Sequence, residues 1–80
     1  MKFATLAKKA KLVVHVPSGP LVNGFMVYRH VVGGWLDYYL IWLDCPKQIP
    51  LRLAPVDLDM WVNVARQTQG AKIDIGGEAC

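Results

Sequence analysis

The sequence predicts an α+β domain in which a small antiparallel sheet, centred on a β-hairpin, packs against one C-terminal helix at about residues 56–69. Two observations lead to this prediction. Residues 24–32 and 35–43 are long runs of β-forming residues separated only by Gly33-Gly34, a pattern typical of a two-residue hairpin turn. A helical spacing of apolar residues follows Pro55. Eighty residues are well below the length at which chains divide, so we expect a single domain.

The segments before the hairpin are less distinctive. Residues 3–10 have no propensity that decides between a short helix and an extended lead-in. Residues 11–16 are rich in β-branched side chains, and their alternation places Leu12, Val14 and Val16 on one side of a strand. A loop that contains two prolines and a glycine then separates this strand from the hairpin.

A two-residue turn determines which hairpin residues face each other, because the register follows from the turn. Successive pairs alternate between the two faces of the sheet. The first face carries Val31/Leu36, Arg29/Tyr38, Val27/Leu40 and Phe25/Trp42. The second face carries Val32/Trp35, His30/Asp37, Tyr28/Tyr39 and Met26/Ile41. Neither face is polar, whereas a sheet with one solvated side normally alternates apolar and polar residues.

After the hairpin, the sequence predicts a short strand, the helix and a final strand. Residues 49–53 form the short strand, which Pro50 restricts to an edge of the sheet. Gly70 is placed to end the helix. Residues 71–75 follow as the last strand, and we expect a flexible tail from about residue 76.

The predicted helix has one apolar side. Val56, Met60 and Val64 lie one turn apart and share a stripe. Four further apolar residues widen it: Leu58, Trp61, Val62 and Ala65. We expect this side to cover one face of the hairpin. Another strand, the N-terminal segment or a partner protein must then cover the other face.

The composition also indicates an excess of apolar surface. Hydrophobic residues make up 54% of the chain and charged residues only 19%, which is rich in apolar residues for a domain with a small core. Such a chain either self-associates or offers an apolar patch to a partner. We therefore expect a protein partner, and we expect the chain to form a homodimer.

The second face holds the residues that we expect to contact a partner, since Tyr, Trp and Met are favoured at the centres of interfaces. They are Met26, Tyr28, His30, Trp35, Asp37, Tyr39 and Ile41. His30 opposite Asp37 also has the residue types of a general base oriented by a carboxylate. However, the sequence places no Ser or Cys nucleophile beside them, and such pairs commonly stabilise hairpins. We therefore expect no catalytic residues and no enzyme activity.

The distribution of charge indicates an alternative function, nucleic-acid binding. The net charge is +3, but the first 30 residues contain five basic residues and no acidic one, which leaves the rest of the chain acidic. The residues that would contact nucleic acid are Lys8, Lys9, Lys11 and Arg29. This group is smaller than the basic arrays typical of nucleic-acid binders. In addition, Tyr28 and Tyr38 lie on opposite faces of the hairpin, so they do not form one stacking platform.

The sequence predicts no metal site and no cofactor. The two histidines and two cysteines lack the short paired spacings of zinc ligands, and Gly33-Gly34 lacks the surrounding pattern of a phosphate loop. We expect no membrane span, because the longest apolar stretch contains Arg29, His30 and Asp37. Since no secretory signal is convincing, we expect the protein to be cytoplasmic.

The leading hypothesis is therefore a small non-enzymatic protein-binding module that acts by covering the surface of a partner. A short chain without catalytic motifs is similar, in size alone, to the small inhibitors that phages and mobile elements encode, such as anti-CRISPR proteins. A phage-encoded protein of this kind would act in the host cytoplasm. Nucleic-acid binding through the basic N-terminal third is the alternative.

Overall fold

The structure, a computed structural model, describes residues 2–20, 23–45 and 49–74. These residues form α1 (Phe3–Lys9), β1 (Lys11–Val16), β2 (Phe25–Val32), β3 (Trp35–Trp42), β4 (Leu51–Leu53), α2 (Pro55–Arg66) and β5 (Lys72–Ile73). The strands make one antiparallel sheet in the order β4-β3-β2-β1-β5. The predicted α+β class, with the hairpin in the middle of the sheet, is confirmed. The predicted tail and the end of the predicted last strand lie outside the described residues.

The hairpin of β2 and β3 has the predicted register. Val32 pairs with Trp35 beside the turn, and the pairing continues without a shift to Phe25 and Trp42. The turn itself has φ values of +55° at Gly33 and +86° at Gly34. Both values lie in the left-handed region, where a side chain is disfavoured, and they are typical of the type I′ turn that matches the twist of hairpin strands.

Strand β1 departs from the predicted alternation. Leu12 pairs with Tyr28 but Val14 pairs with Val27, so Val13 is an extra residue that forms a β-bulge. Leu12 therefore lies on the second face and is partly exposed, whereas Val14 is buried on the first face. The expectation that Leu12 and Val14 share one side was wrong, because alternation in a sequence does not reveal an inserted residue.

Helix α2 covers the first face with part of the predicted apolar side. The residues that pack into the core are Leu58, Trp61, Val62, Val64 and Ala65. Val56 and Met60, expected at the centre of the apolar side, are instead exposed, at 73% and 50%. Apolar residues occur around much of this helix, so the periodicity alone did not determine which side faces the sheet.

The ends of α2 also differ from the prediction. The helix begins at Pro55, a position where the missing N–H leaves no intrahelical hydrogen bond unmade. It ends at Arg66, earlier than residue 69, and the Thr68 hydroxyl donates to the Val64 carbonyl oxygen at 2.7 Å. Gly70, with φ of +85°, lies in the turn before β5 and does not terminate the helix.

An aromatic cluster holds α2 against the end of the hairpin that is distant from the turn. Phe25 and Trp42 face each other across the hairpin, with ring centroids 5.9 Å apart. Trp61 of α2 packs edge-to-face on both, at 5.1 Å from Phe25 and 5.4 Å from Trp42. Such aromatic contacts add about 1 kcal/mol each beyond the area that they bury. The helix is therefore anchored at this end, which we call the base of the hairpin.

Helix α1 covers part of the second face, so the sheet lies between two helices and not against one. Phe3 packs edge-to-face on Tyr28, with centroids 5.8 Å apart, and Leu6 is fully buried. Ile41, near the base on the same face, is also buried. A helix of seven residues is unstable in isolation, so α1 depends on this packing. The N-terminal segment, one of the three alternatives that the sequence offered, therefore covers part of the second face.

The buried Leu6 side chain gives a test of this arrangement. We expect Leu6→Ala to lower the free energy of unfolding by about 2–4 kcal/mol, because it removes a fully buried side chain beneath α1. Leu12→Ala is the matched control, since Leu12 is 40% exposed and its loss is expected to cost less than about 1 kcal/mol. Urea unfolding followed by circular dichroism measures both. Equal losses would show that α1 does not pack on the sheet.

Candidate functional site

The part of the hairpin nearest the turn projects beyond both helices. Its four apolar residues, which we call the apolar tip, are exposed on both faces of the sheet. They are Val31 (61%), Val32 (48%), Trp35 (77%) and Leu36 (49%). On the first face α2 packs on the core from Leu58 to Ala65, and on the second face Phe3 of α1 packs on Tyr28. The tip carries four of the nine large hydrophobic side chains that are exposed among the described residues.

Two grooves flank the strand β3 where it enters the tip. The larger, of about 590 Å³, lies between the strand and the start of α2. First-face residues Leu36, Tyr38, Pro55 and Leu58 line it, together with Trp35, Asp37 and Arg52 at the edge of the sheet. The smaller, of about 400 Å³, lies on the second face and is lined by Val32, Trp35, Asp37 and Arg52. The larger groove is bordered mainly by apolar side chains and extends the apolar tip along the edge of β3, whereas the smaller groove has two apolar and two charged residues on its border.

An ion pair lies at the border of the smaller groove. Arg52 donates from Nη2 to Oδ1 of Asp37 at 3.0 Å. The Arg52 side chain is 71% exposed, whereas Asp37 is only 21% exposed. The guanidinium is therefore the charged group that solvent or a partner meets at this position. The sequence did not identify Arg52, because its closeness to Asp37 depends on the pairing of β4 with β3.

His30 and Asp37 lie opposite each other in the sheet, as the register predicted, but Asp37 contacts Arg52 instead. Nδ1 of His30 is buried and has no hydrogen-bond partner among the described residues. A histidine that acts as a general base is normally oriented by a carboxylate. No carboxylate orients the His30 imidazole in this way. The pair therefore offers no geometric support for acid–base chemistry.

The other residues expected to contact a partner differ in accessibility. Trp35 is the most exposed of them, at 77%, while Met26, Tyr28 and Tyr39 are partly buried. Ile41 is 1% exposed and is out of reach of a partner in this conformation. The sequence did not single out Val31, Val32 or Leu36. The signal for them was the absence of any charged residue between His30 and Asp37.

The basic residues of the alternative hypothesis are spread over three elements. Lys8 and Lys9 are exposed in the last turn of α1. Lys11 in β1 forms an exposed ion pair with Asp74, with Nζ 3.0 Å from Oδ2, and it lies opposite Arg29 in β2. Asp74 thus offsets one positive charge of this group. No described contact adds an aromatic stacking surface next to the exposed lysines.

Neither a metal cluster nor a membrane-spanning helix occurs in the described ranges. No three His, Cys, Asp or Glu side chains in residues 2–20, 23–45 and 49–74 are grouped so that they could hold a metal ion. In the same residues, no helix is both long and apolar enough to cross a membrane. The candidate site is therefore the apolar tip with its two grooves and the Asp37–Arg52 pair.

Tyr28 marks the border between the covered and the exposed part of the second face. Burial raises the pKa of its hydroxyl above the ordinary value of 10.0, since desolvation disfavours the phenolate. The stabilising contribution of the neutral hydroxyl is complete below pH 10.0 and is lost as the pH rises through the folded-state pKa. We expect an ultraviolet titration of the wild type minus that of Tyr28→Phe to show a midpoint above 10.0. A midpoint at the ordinary value would mean that α1 leaves Tyr28 solvated.

Comparison with known proteins identifies no relative. No protein-family model matches the chain, and no curated protein or solved structure matches it. A function must therefore be inferred from the exposure, contacts and charges of the chain's own residues.

Proposed function

We propose that the protein is a small non-enzymatic protein-binding module whose contact surface is the apolar tip. One observation carries the proposal: four neighbouring apolar residues project from the sheet beyond both helices, and Trp35 among them is 77% exposed. Contiguous exposed apolar patches on small domains are commonly interaction sites. Tryptophan and arginine are also the residues most enriched among those that dominate binding energy, and Arg52 borders the patch.

The tip is a better contact surface than the second face as a whole. Helix α1 already covers Tyr28, and Ile41 is buried, so a partner cannot reach the centre of the predicted surface without displacing the helix. Trp35 and Asp37 remain on the accessible part, and Val31, Val32 and Leu36 join them. The proposed surface therefore lies nearer the turn than the sequence indicated.

A projecting hairpin is suited to inhibition by contact. It inserts a narrow apolar element into a cleft or onto a surface of the partner and requires no chemistry of its own. We accordingly propose that the protein acts by covering a functional surface of its partner. Small inhibitors encoded by phages and mobile elements act in this general way, and the similarity to them is one of size and economy only.

Self-association is part of the same proposal. In the absence of another partner, two copies reduce the exposure of the tip by packing their hairpins together, since burial of apolar surface stabilises by about 25 cal/mol per Å². Symmetric pairs are the commonest form of such association. We therefore propose a weak homodimer, in which the second copy and the partner protein compete for the same apolar tip.

Capture from lysate of the source organism tests the contact surface, with Trp35→Ser as the test variant and Val56→Ser as the matched control. The two residues are similarly exposed, at 77% and 73%, so each change is expected to alter stability by no more than about 0.5 kcal/mol. We expect wild type and Val56→Ser to capture the same partner, and Trp35→Ser to lose it. The captured protein is then purified and titrated against all three forms. Equal affinities would place the contact surface elsewhere.

The same variants test self-association by light scattering across a dilution series. Wild type and Val56→Ser are expected to dissociate from dimer to monomer on dilution, whereas Trp35→Ser is expected to be monomeric throughout. A wild-type protein that remains monomeric at every concentration would exclude the homodimer, while leaving the binding of another protein to be decided by the titration.

A further inference from the structure

In the described residues, the edge of β3 is unpaired where the strand enters the apolar tip. Strand β4 pairs with β3 only from Leu40↔Leu51 to Tyr38↔Leu53. The chain then leaves the sheet at Ala54 to begin α2. Within the described residues, no strand pairs with residues 35–37 of β3 on that side. We call this segment the open edge. Unpaired strand edges readily accept a strand from another chain.

The main-chain groups of Leu36 point outward from the open edge. In a two-residue turn, Trp35 N–H donates to the Val32 carbonyl oxygen, and antiparallel pairs then alternate between bonded and non-bonded. The hydrogen bond from Leu43 N to Gly24 O, 3.0 Å long, lies on the bonded series at the other end of the hairpin and agrees with this alternation. Leu36 and Val31 therefore form a non-bonded pair. The N–H and C=O of Leu36 face away from β2, as those of Tyr38 face β4.

The two grooves meet at this same edge, because Trp35, Asp37 and Arg52 line both of them. From there the 590 Å³ groove extends onto the first face beside Leu36 and Tyr38, and the 400 Å³ groove extends onto the second face beside Val32. Successive side chains of a strand point to opposite faces. A strand laid along the open edge would therefore direct its side chains alternately into the two grooves, while its backbone bonds to Leu36.

From this arrangement we propose that the partner is bound by β-strand addition, with an extended segment of the partner protein pairing with residues 35–37. This rests on the proposed protein-binding function and specifies its mode. Backbone hydrogen bonds supply affinity in such complexes, and pockets for alternate side chains supply specificity. The segment ends or bends at the level of Tyr38, because Leu53 already occupies the next position beside β3.

The grooves define the side chains that the segment carries. The residue opposite Leu36 enters the first-face groove, whose border includes Leu36, Leu53 and Leu58, so it is apolar. The neighbouring residue, opposite Asp37, enters the second-face groove at the Arg52 guanidinium. Asp37 is mostly shielded and already paired, whereas Arg52 is 71% exposed. An acidic residue is therefore favoured there, and the bound segment contains an apolar residue next to an acidic one.

A displayed library of random octapeptides, selected on the full chain, is the probe. We expect the selected peptides to share adjacent apolar and acidic residues, and Arg52→Gln to lose the preference for the acid. We expect Leu36→Pro to weaken binding about fivefold to tenfold, because it removes the outward N–H. Val31→Pro is the matched control: Val31 is the partner of Leu36 in the same non-bonded pair, its N–H faces the opposite edge, and binding is expected within about twofold of wild type.

Peptides methylated at single backbone nitrogens give a second measurement that does not depend on the folding of a proline variant. We expect methylation of the one nitrogen that donates to the Leu36 carbonyl oxygen to abolish binding, and methylation of the two neighbouring nitrogens to be tolerated, since only alternate N–H groups of an added strand face β3. Peptides that tolerate methylation everywhere, or that bind Leu36→Pro as tightly as wild type, would overturn strand addition. If Trp35→Ser nevertheless abolishes the binding of such peptides, the apolar tip is still the contact surface and only strand addition is wrong. If no peptide is selected, strand addition is also overturned, while the capture experiment decides the function independently.

Discussion

The type I′ turn at Gly33-Gly34 is the constraint on which the rest of the structure depends. Because both glycines have positive φ, the turn closes with two residues and sets the register of β2 and β3 over their whole length. That register places Phe25 and Trp42 together at the base, where Trp61 of α2 packs on them. It also leaves four apolar residues around the turn, and it directs the main-chain groups of Leu36 to the β4 side of β3, beyond the last β4 residue that pairs with it. A shift of one residue would exchange the two faces and undo all of these arrangements.

The hairpin is longer than the elements that cover it, and the proposed function follows from this difference. Helix α2 is anchored at the base, and α1 reaches Tyr28 on the other face. Beyond Tyr38, β4 no longer pairs with the hairpin in the described residues, and only the start of α2, at Pro55 and Leu58, lies beside it. In the described residues, solvent therefore meets apolar side chains on both faces and unpaired backbone at both edges of the tip, since β1 pairs with β2 only as far as Lys11↔Arg29. Proteins normally protect such edges with charges, prolines or a covering element. Among the described residues, the Asp37–Arg52 pair and Pro55 lie beside the β3 edge.

The hairpin was predictable from the sequence because it depends on local information, two glycines between two β-forming runs. The features that the sequence did not predict depend on contacts between distant segments. The bulge at Val13 requires the alignment of β1 with β2, and the choice of Leu58 and Trp61 over Val56 and Met60 requires the position of α2 on the sheet. The same holds for the site. Trp35 was identified from its residue type, but the roles of Arg52 and Leu36 depend on where β4 pairs with β3 and where that pairing ends.

Amide hydrogen exchange of residues 35–38 in the unbound monomer tests this account most directly. The N–H groups of Trp35 and Asp37 bond to β2, and that of Tyr38 faces β4, whereas that of Leu36 faces the open edge. We expect slow exchange at Trp35, Asp37 and Tyr38 and fast exchange at Leu36 between them. Exchange at Leu36 as slow as at Asp37 and Tyr38 would contradict this expectation, because the edge would then already be paired and unavailable to a partner.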